Sequence, residues 1–219
     1  MKAKKVYEFI QKKSLRNTIK DDIGIVAKHK RKIQDWLNNY ILGSTQDFEI
    51  TEDLNLKIHA PSHSINLINY NEIDFPFNKV IFTNNDKSLV NSFQLFNVKH
   101  ITKIPDLENV NEIYLQGLIN LEYLPEIIDF RDDLQLLNLY DLPKLKKLPN
   151  NILYNNLVIS NVPEITKLPE DLTILNYLYL GYLPKLKEIP ESLTARKIHL
   201  NHVNLKIPKQ LEDRISNTG

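Results

Sequence analysis

No cysteine occurs anywhere in these 219 residues, and glycine occurs only five times. The first absence excludes structural disulfides, thiolate zinc sites, and any cysteine nucleophile or thioester chemistry. The second leaves Gly24, Gly43, Gly117, Gly181 and Gly219 too scattered to build a phosphate-cradling loop or a Gly-x-Ser-x-Gly elbow. No apolar run approaches the roughly eighteen residues of a membrane span. The basic opening, MKAKKVYEFIQKKSLR, lacks the apolar stretch of a secretory signal. No Asn-x-Ser/Thr acceptor exists among 25 asparagines, which argues against a secreted glycoprotein. The expectation is a cytoplasmic protein with no membrane association and no cofactor.

Charge of one sign is also missing overall, because the net value is only +1. Its placement is uneven, however. Residues 1–40 carry eleven Lys/Arg against four Asp/Glu, and the remainder carries seventeen against twenty-three. That asymmetry predicts two regions with different roles.

What the chain has in abundance is a repeat. "LPKLKEIPESL" (Leu183 to Leu193) echoes "LPKLKKLPNNI" (Leu142 to Ile152), 41 residues earlier. Both belong to a longer form, Leu180-x-x-Leu183-x-x-Leu186-x-x-Ile189-Pro190. It recurs from Leu139 to Pro149, Ile159 to Pro169, Leu115 to Pro125 and Leu95 to Pro105. An apolar residue precedes each by two: Phe93, Ile113, Leu137, Leu157, Leu178, and Ile198 before Leu200 in a sixth unit. These are spaced by 20, 24, 20, 21 and 20 residues, so the 41-residue echo is two repeats. Period two predicts a short strand, and spacing of three afterwards predicts a tight non-α coil. Proline then stops the ladder, and an apolar residue three positions on (Ile152, Leu172, Leu193, Leu211) pins the return. No unit can bury its apolar side alone, so the units must stack on one continuous core.

These units resemble leucine-rich repeats of the short type ending in Leu-Pro-x-x-Leu ("LPEDL", "LPNNI", "IPESL", "IPKQL"). Similar units occur in bacterial effectors and bacteriophage-encoded repeat proteins, and in longer form in plant immune receptors. The resemblance implies an α+β repeat protein: a leucine-rich-repeat solenoid with parallel strands on its concave face and an N-terminal helical cap. It departs from the family where Asn or Cys usually follows the strand, because Val98, Leu118, Leu142, Val162, Leu183 and Val203 stand there. An apolar side chain cannot bond the backbone, so the coil there needs other partners. The sixth unit is two residues short (Val203 to Ile207-Pro208), and its polar Asn201, His202 and Asn204 suit a terminal cap.

The predicted organisation is a basic helical cap over 1–45, a β-rich lead-in or degenerate repeats over 46–83, about six repeats over 84–211, and a tail over 212–219. Within the cap, Ile33, Trp36, Leu37, Tyr40 and Ile41 line one face of a helix over 28–41. A second helix is expected near Lys4 to Lys13, with Asp21, Asp22 and Gly24 in the connection. The order of this segment also resembles the start of phage-encoded leucine-rich-repeat proteins, which implies a viral origin and the cytoplasm of a host cell.

Catalytic constellations are scarce. His59 and His63 have a metal-like spacing, but Pro61 prevents the helix that would align them, and no metal is expected. His199 and His202 diverge if the strand ends near Leu200. Asp129, Asp132 and Asp133 read as a solvated turn on the convex side. A non-enzyme is therefore the expectation, without a small-molecule substrate.

The intervening strand residues are more informative, because they line up in rows across the concave sheet. The central row runs Gln94, Tyr114, Asn138, Val158, Tyr179, His199. The flanking rows run Ser92, Glu112, Leu136, Asn156, Tyr177, Lys197 and Phe96, Gln116, Tyr140, Ser160, Gly181, Asn201. Phe96, Tyr114, Leu136, Asn138, Tyr140, Tyr177, Tyr179 and His199 are the predicted partner-binding residues, forming an exposed aromatic patch for a partner protein. Rings packing on one another in ordinary strands is the plainer reading of the same residues. Nucleic acid held by the basic patch Lys28, Lys30, Arg31 and Lys32 is the second candidate partner. A structural or assembly component of a virus particle is the third reading.

Overall fold

Each repeat places its paired apolar residues on a strand, and successive strands lie side by side. The computed structural model describes residues 24–39, 48–59, 64–70, 75–83, 90–126, 128–131, 135–150 and 153–218. Its strands are β1 (Phe48–Ile50), β2 (Leu56–Ile58), β3 (Ser64–Ile68), β4 (Lys79–Phe82), β5 (Ser92–Phe96), β6 (Asp106–Val110) and β7 (Glu112–Gln116). There follow β8 (Asp129–Phe130), β9 (Leu136–Tyr140), β10 (Leu153–Ser160), β11 (Thr173–Gly181), β12 (Thr194–Asn201) and β13 (Ile215–Thr218). An eight-stranded sheet runs β13-β12-β11-β10-β9-β7-β5-β3, and a five-stranded sheet runs β1-β2-β4-β6-β8. All pairings are parallel except β1 with β2. The chain is a parallel β-solenoid with an N-terminal helical segment.

The apolar positions of the repeat form the core. Five residues in each of the first five repeats, such as Leu137, Leu139, Leu142, Leu145 and Leu148, are buried, and Leu172, Leu193 and Leu211 close the return path. The spacing of three reflects a turn repeated coil after coil. Leu121, Leu145, Ile165 and Leu186 each donate their backbone N–H to the carbonyl three residues before, at 3.2–3.3 Å. The Pro-x-x-Leu steps do likewise, with Leu193 bonding Pro190 and Leu211 bonding Pro208.

Backbone partners at the apolar ladder come from the neighbouring coil. The residue before each ladder position is left-handed: Asn97, Gly117, Asp141, Asn161, Tyr182 and His202, with Asn69 in an earlier coil. That twist aims its N–H at the next strand's last carbonyl, as in Asn97 to Gln116 (2.8 Å) and Tyr182 to Asn201 (3.0 Å). The uneven repeat lengths are also explained. The extra residue of the 21-residue unit is a bulge between Ile174 and Tyr177 that pushes out Leu175, 54% exposed. In the 24-residue unit Val110 still pairs with Phe130 while Glu112 pairs with Leu136, so the four extra residues fall between these two pairs.

The lead-in is part of the same stack. β3 pairs in register with β5, making 64–68 a repeat strand, while β2 and β4 extend the second sheet. Helix α1 is described over residues 24–39 and includes Gly24, which thus belongs to a helix and not to a connection. It buries Ile33, Trp36 and Leu37. Trp36 meets Tyr70, Phe75 and Phe77 edge-on and donates from Nε1 to Tyr70 Oη at 2.6 Å. His29 Nε2 donates to the Pro76 carbonyl at 3.1 Å. The expected helix near Lys4 to Lys13, Asp21, Asp22, Tyr40, Ile41 and Ile152 lie outside the described residues. At the other end, residues 212–218 finish a 3-10 helix (Lys209–Arg214) and add β13 to the sheet, so the coil with Asn201 and His202 is covered by one more strand.

Candidate functional site

The three predicted rows are in register on the outer side of the eight-stranded sheet. Gln94, Tyr114, Asn138, Val158, Tyr179 and His199 pair successively, and Ser216 of β13 extends the row. The row with Leu136, Tyr177 and Lys197 and the row with Phe96 and Tyr140 behave alike.

Exposure along these rows differs from the expectation. Tyr140 is 42% exposed, but Phe96, Tyr114, Leu136, Asn138, Tyr177, Tyr179 and His199 are half-buried, and Ser92 and Ser160 are buried. The reason is that neighbouring coils sit about 4.8 Å apart, so rings lean on the next side chain. Burial pushes the Tyr114 phenol above its usual value, helped by the Glu112 carboxylate. Burial raises Tyr177 too, with a smaller contribution from Tyr179.

The rings gather at the C-terminal end of the face. Tyr179 and His199 stack with centroids 5.2 Å apart and planes 13° apart, and Tyr177 lies 6.4 Å from His199. Gly181 makes room for this: a Cβ there would lie 2.8 Å from Tyr179 Cε1 and 3.2 Å from Ser160 Oγ. His199 Nδ1 lies 3.0 Å from the Ser216 hydroxyl. Asn201 donates to Tyr179 Oη at 2.9 Å, and its Oδ1 accepts from His202 Nδ1. His202 stacks on Tyr182 at 4.6 Å and 10°. His199 and His202 stack on different rings, Tyr179 and Tyr182, and are linked indirectly through Asn201 and Tyr179. Tyr182, His202 and Ser216 were not among the predicted site residues. A signal for the first two was present: they stand where other coils have Asn, Asp or Gly.

The remaining candidates are dispersed. His59 is near Thr83 Oγ1 (2.9 Å) and Glu49 Oε2 (3.4 Å), while Pro61 and His63 lie outside the described residues. Asp129 stands on strand β8 opposite Glu108, so it is not in a turn; Asp132 and Asp133 lie outside the described residues. Among the described residues no three His, Asp or Glu side chains gather as a metal site, and no helix is long and apolar enough to cross a membrane. Of the basic patch, Lys28, Arg31 and Lys32 are exposed on α1, whereas Lys30 is half-buried. A groove of about 400 Å³ between α1 and the first coils is lined by His29, Phe75, Lys103 and Asp106, away from the ring-bearing face. No family model, no curated protein and no solved structure matches the chain.

Proposed function

We propose that this chain is a non-catalytic protein-binding module of the leucine-rich-repeat kind, holding a partner protein on the face of its eight-stranded sheet. The observation that carries the reading is the register: within the eight-stranded sheet, β7, β9, β11 and β12 bring Tyr114, Tyr140, Tyr177, Tyr179 and His199 onto one side. Tyrosine offers a large contact area and a hydroxyl at low entropic cost, and ordered rings lose little more on binding. The Leu-x-x-Leu turns and the parallel sheet support membership of the repeat class. Recognition by shape and aromatic anchors, without turnover, is the mechanism. A phage or bacterial effector acting on a protein in a host cell's cytoplasm is the setting that the resemblance suggests.

The exposed Lys28, Arg31 and Lys32 favour a second reading, nucleic-acid contact through α1. Affinity-tagged chain incubated with lysate separates the two. Capture of one protein that is lost with Tyr114→Ala/Tyr140→Ala/Tyr179→Ala supports the first. Nucleic-acid retention that survives those changes, fails without residues 1–40 and falls with a log–log salt slope of about −5 supports the second.

A further inference from the structure

We infer that the contact centre of this face is the Tyr182–His202 ring pair at its C-terminal corner, built to receive an acidic polypeptide segment; the inference rests on the protein-binding reading above. The turn leaving each of the seven strands from β3 to β12 in the eight-stranded sheet carries one left-handed residue. Five coils fill that position with Asn69, Asn97, Gly117, Asp141 and Asn161. Glycine takes the conformation freely, and Asn or Asp eases its cost with local hydrogen bonds. Tyrosine has neither advantage; histidine tolerates the region better, and His202 bonds Asn201 locally, but no earlier coil uses it. Tyr182 (φ 51°) and His202 (φ 50°) thus hold a conformation that the other coils give to cheaper residues. The strain gains little burial, because Tyr182 is 47% exposed and His202 is exposed. What it gains is a stacked ring pair held out where the face meets the outer turns. Strain kept at an exposed position points toward a partner.

The pair is also continuous with the proposed face. Asn201 ties His202 to Tyr179, and Tyr179 stacks on His199, so four rings from two adjacent coils form one surface. Their arrangement is set before anything binds, which lowers the ordering cost of association.

Charge selects the class of partner. Along the three rows of β10, β11 and β12, Lys197 is the sole charge, and no carboxylate stands there. The acid on the adjoining outer turn, Glu164, is held by Lys185 at 2.7 Å. Tyrosine hydroxyls, imidazole N–H groups and Lys197 can all donate to a carboxylate, whereas the nearby acids are already engaged, Glu164 by Lys185 and Asp141 by the Asn161 amide.

The test titrates the full chain against a labelled random copolymer of glutamate and tyrosine, read by fluorescence anisotropy. A lysine–tyrosine copolymer is the charge control. Tyr182→Asn/His202→Asn restores residues that the other coils use, and Tyr123→Ala removes an unrelated exposed ring. The double variant should bind the glutamate–tyrosine polymer at least about tenfold more weakly while melting no lower than wild type. Tyr123→Ala should bind within about twofold of wild type. A double variant that binds like wild type overturns the assignment. So does one that melts more than about 4 °C lower, because the rings then serve the fold. Equal binding of the lysine–tyrosine polymer, or no binding of the acidic one, removes the acidic class. If the triple tyrosine variant releases a captured protein that the Tyr182/His202 variant retains, the face reading stands and this inference falls.

Discussion

Tyr154 is fully buried, and among the described residues its hydroxyl has no hydrogen-bond partner. A polar group enclosed in this way costs about 1–3 kcal/mol, so removing it without changing the ring should help the fold. Tyr154→Phe is therefore expected to raise stability by about 1 kcal/mol in a urea titration. pH gives an independent check. Burial holds the phenol above its usual 10.0. Its unfolded form ionises first, so the associated stability is present below about pH 10 and is lost as pH rises beyond it. The alkaline unfolding limb should move upward in the Phe variant, and an unmoved limb would exclude Tyr154 as its source. Gly181 illustrates the opposite kind of residue. A methyl group there collides with the far end of the Tyr179 ring, which can swing away. Gly181→Ala should cost less than about 1 kcal/mol yet displace the Tyr179–His199 stack, and partner capture should fall far more than the melting temperature.

Among elements, the strands of the six repeats were legible because their information is local, whereas β13 lies in the expected tail. Two apolar residues at i and i+2, followed by steps of three, define a strand and then a chain of turns whatever the rest of the molecule does. Register followed for the same reason, since a one-residue slip would turn Leu157 and Ile159 outward. The second sheet was legible only in part. β1, β2 and β4 lie in the stretch read as β-rich, but β6 and β8 are five and two residues long, and Asp106 and Glu108 alternate with too few apolar neighbours to mark a strand. The left-handed positions went unread although Asn97, Gly117, Asp141 and Asn161 are residues that favour the conformation, because Tyr182 breaks the pattern. The half-buried state of the site rings depends on neighbours 20 or 21 residues away, and no single strand encodes it. Helix α1 offers an element-scale prediction. Trp36 contributes three ring contacts and the bond to Tyr70. Trp36→Phe should cost about 1 kcal/mol for the lost hydrogen bond, and Trp36→Ala about 3–5 kcal/mol for the emptied site. Equal effects from both would show that packing contributes nothing there.

Across the whole molecule, each coil touches only its neighbours, so stability is passed along the stack and not gathered at a centre. The two ends are finished differently. At the N-terminal end α1 seats Trp36 on an aromatic cluster, and β1 closes the second sheet by running antiparallel to β2. At the other end the 3-10 helix buries Leu211, and β13 adds a last strand. Between them the core is a single cluster from Ile33 to Leu211. A cavity in the middle should therefore be felt at both ends. Leu145→Ala lies in a central coil, is fully buried, and should cost about 2–5 kcal/mol, lowering the melting temperature by on the order of 10 °C. Trp36 is the sole tryptophan, so its fluorescence reports the N-terminal end while far-ultraviolet circular dichroism reports the sheet. In a continuous stack both signals should move down together in Leu145→Ala. If the fluorescence transition stays in place while the dichroism transition falls, the end around Trp36 unfolds independently of the coil that holds Leu145.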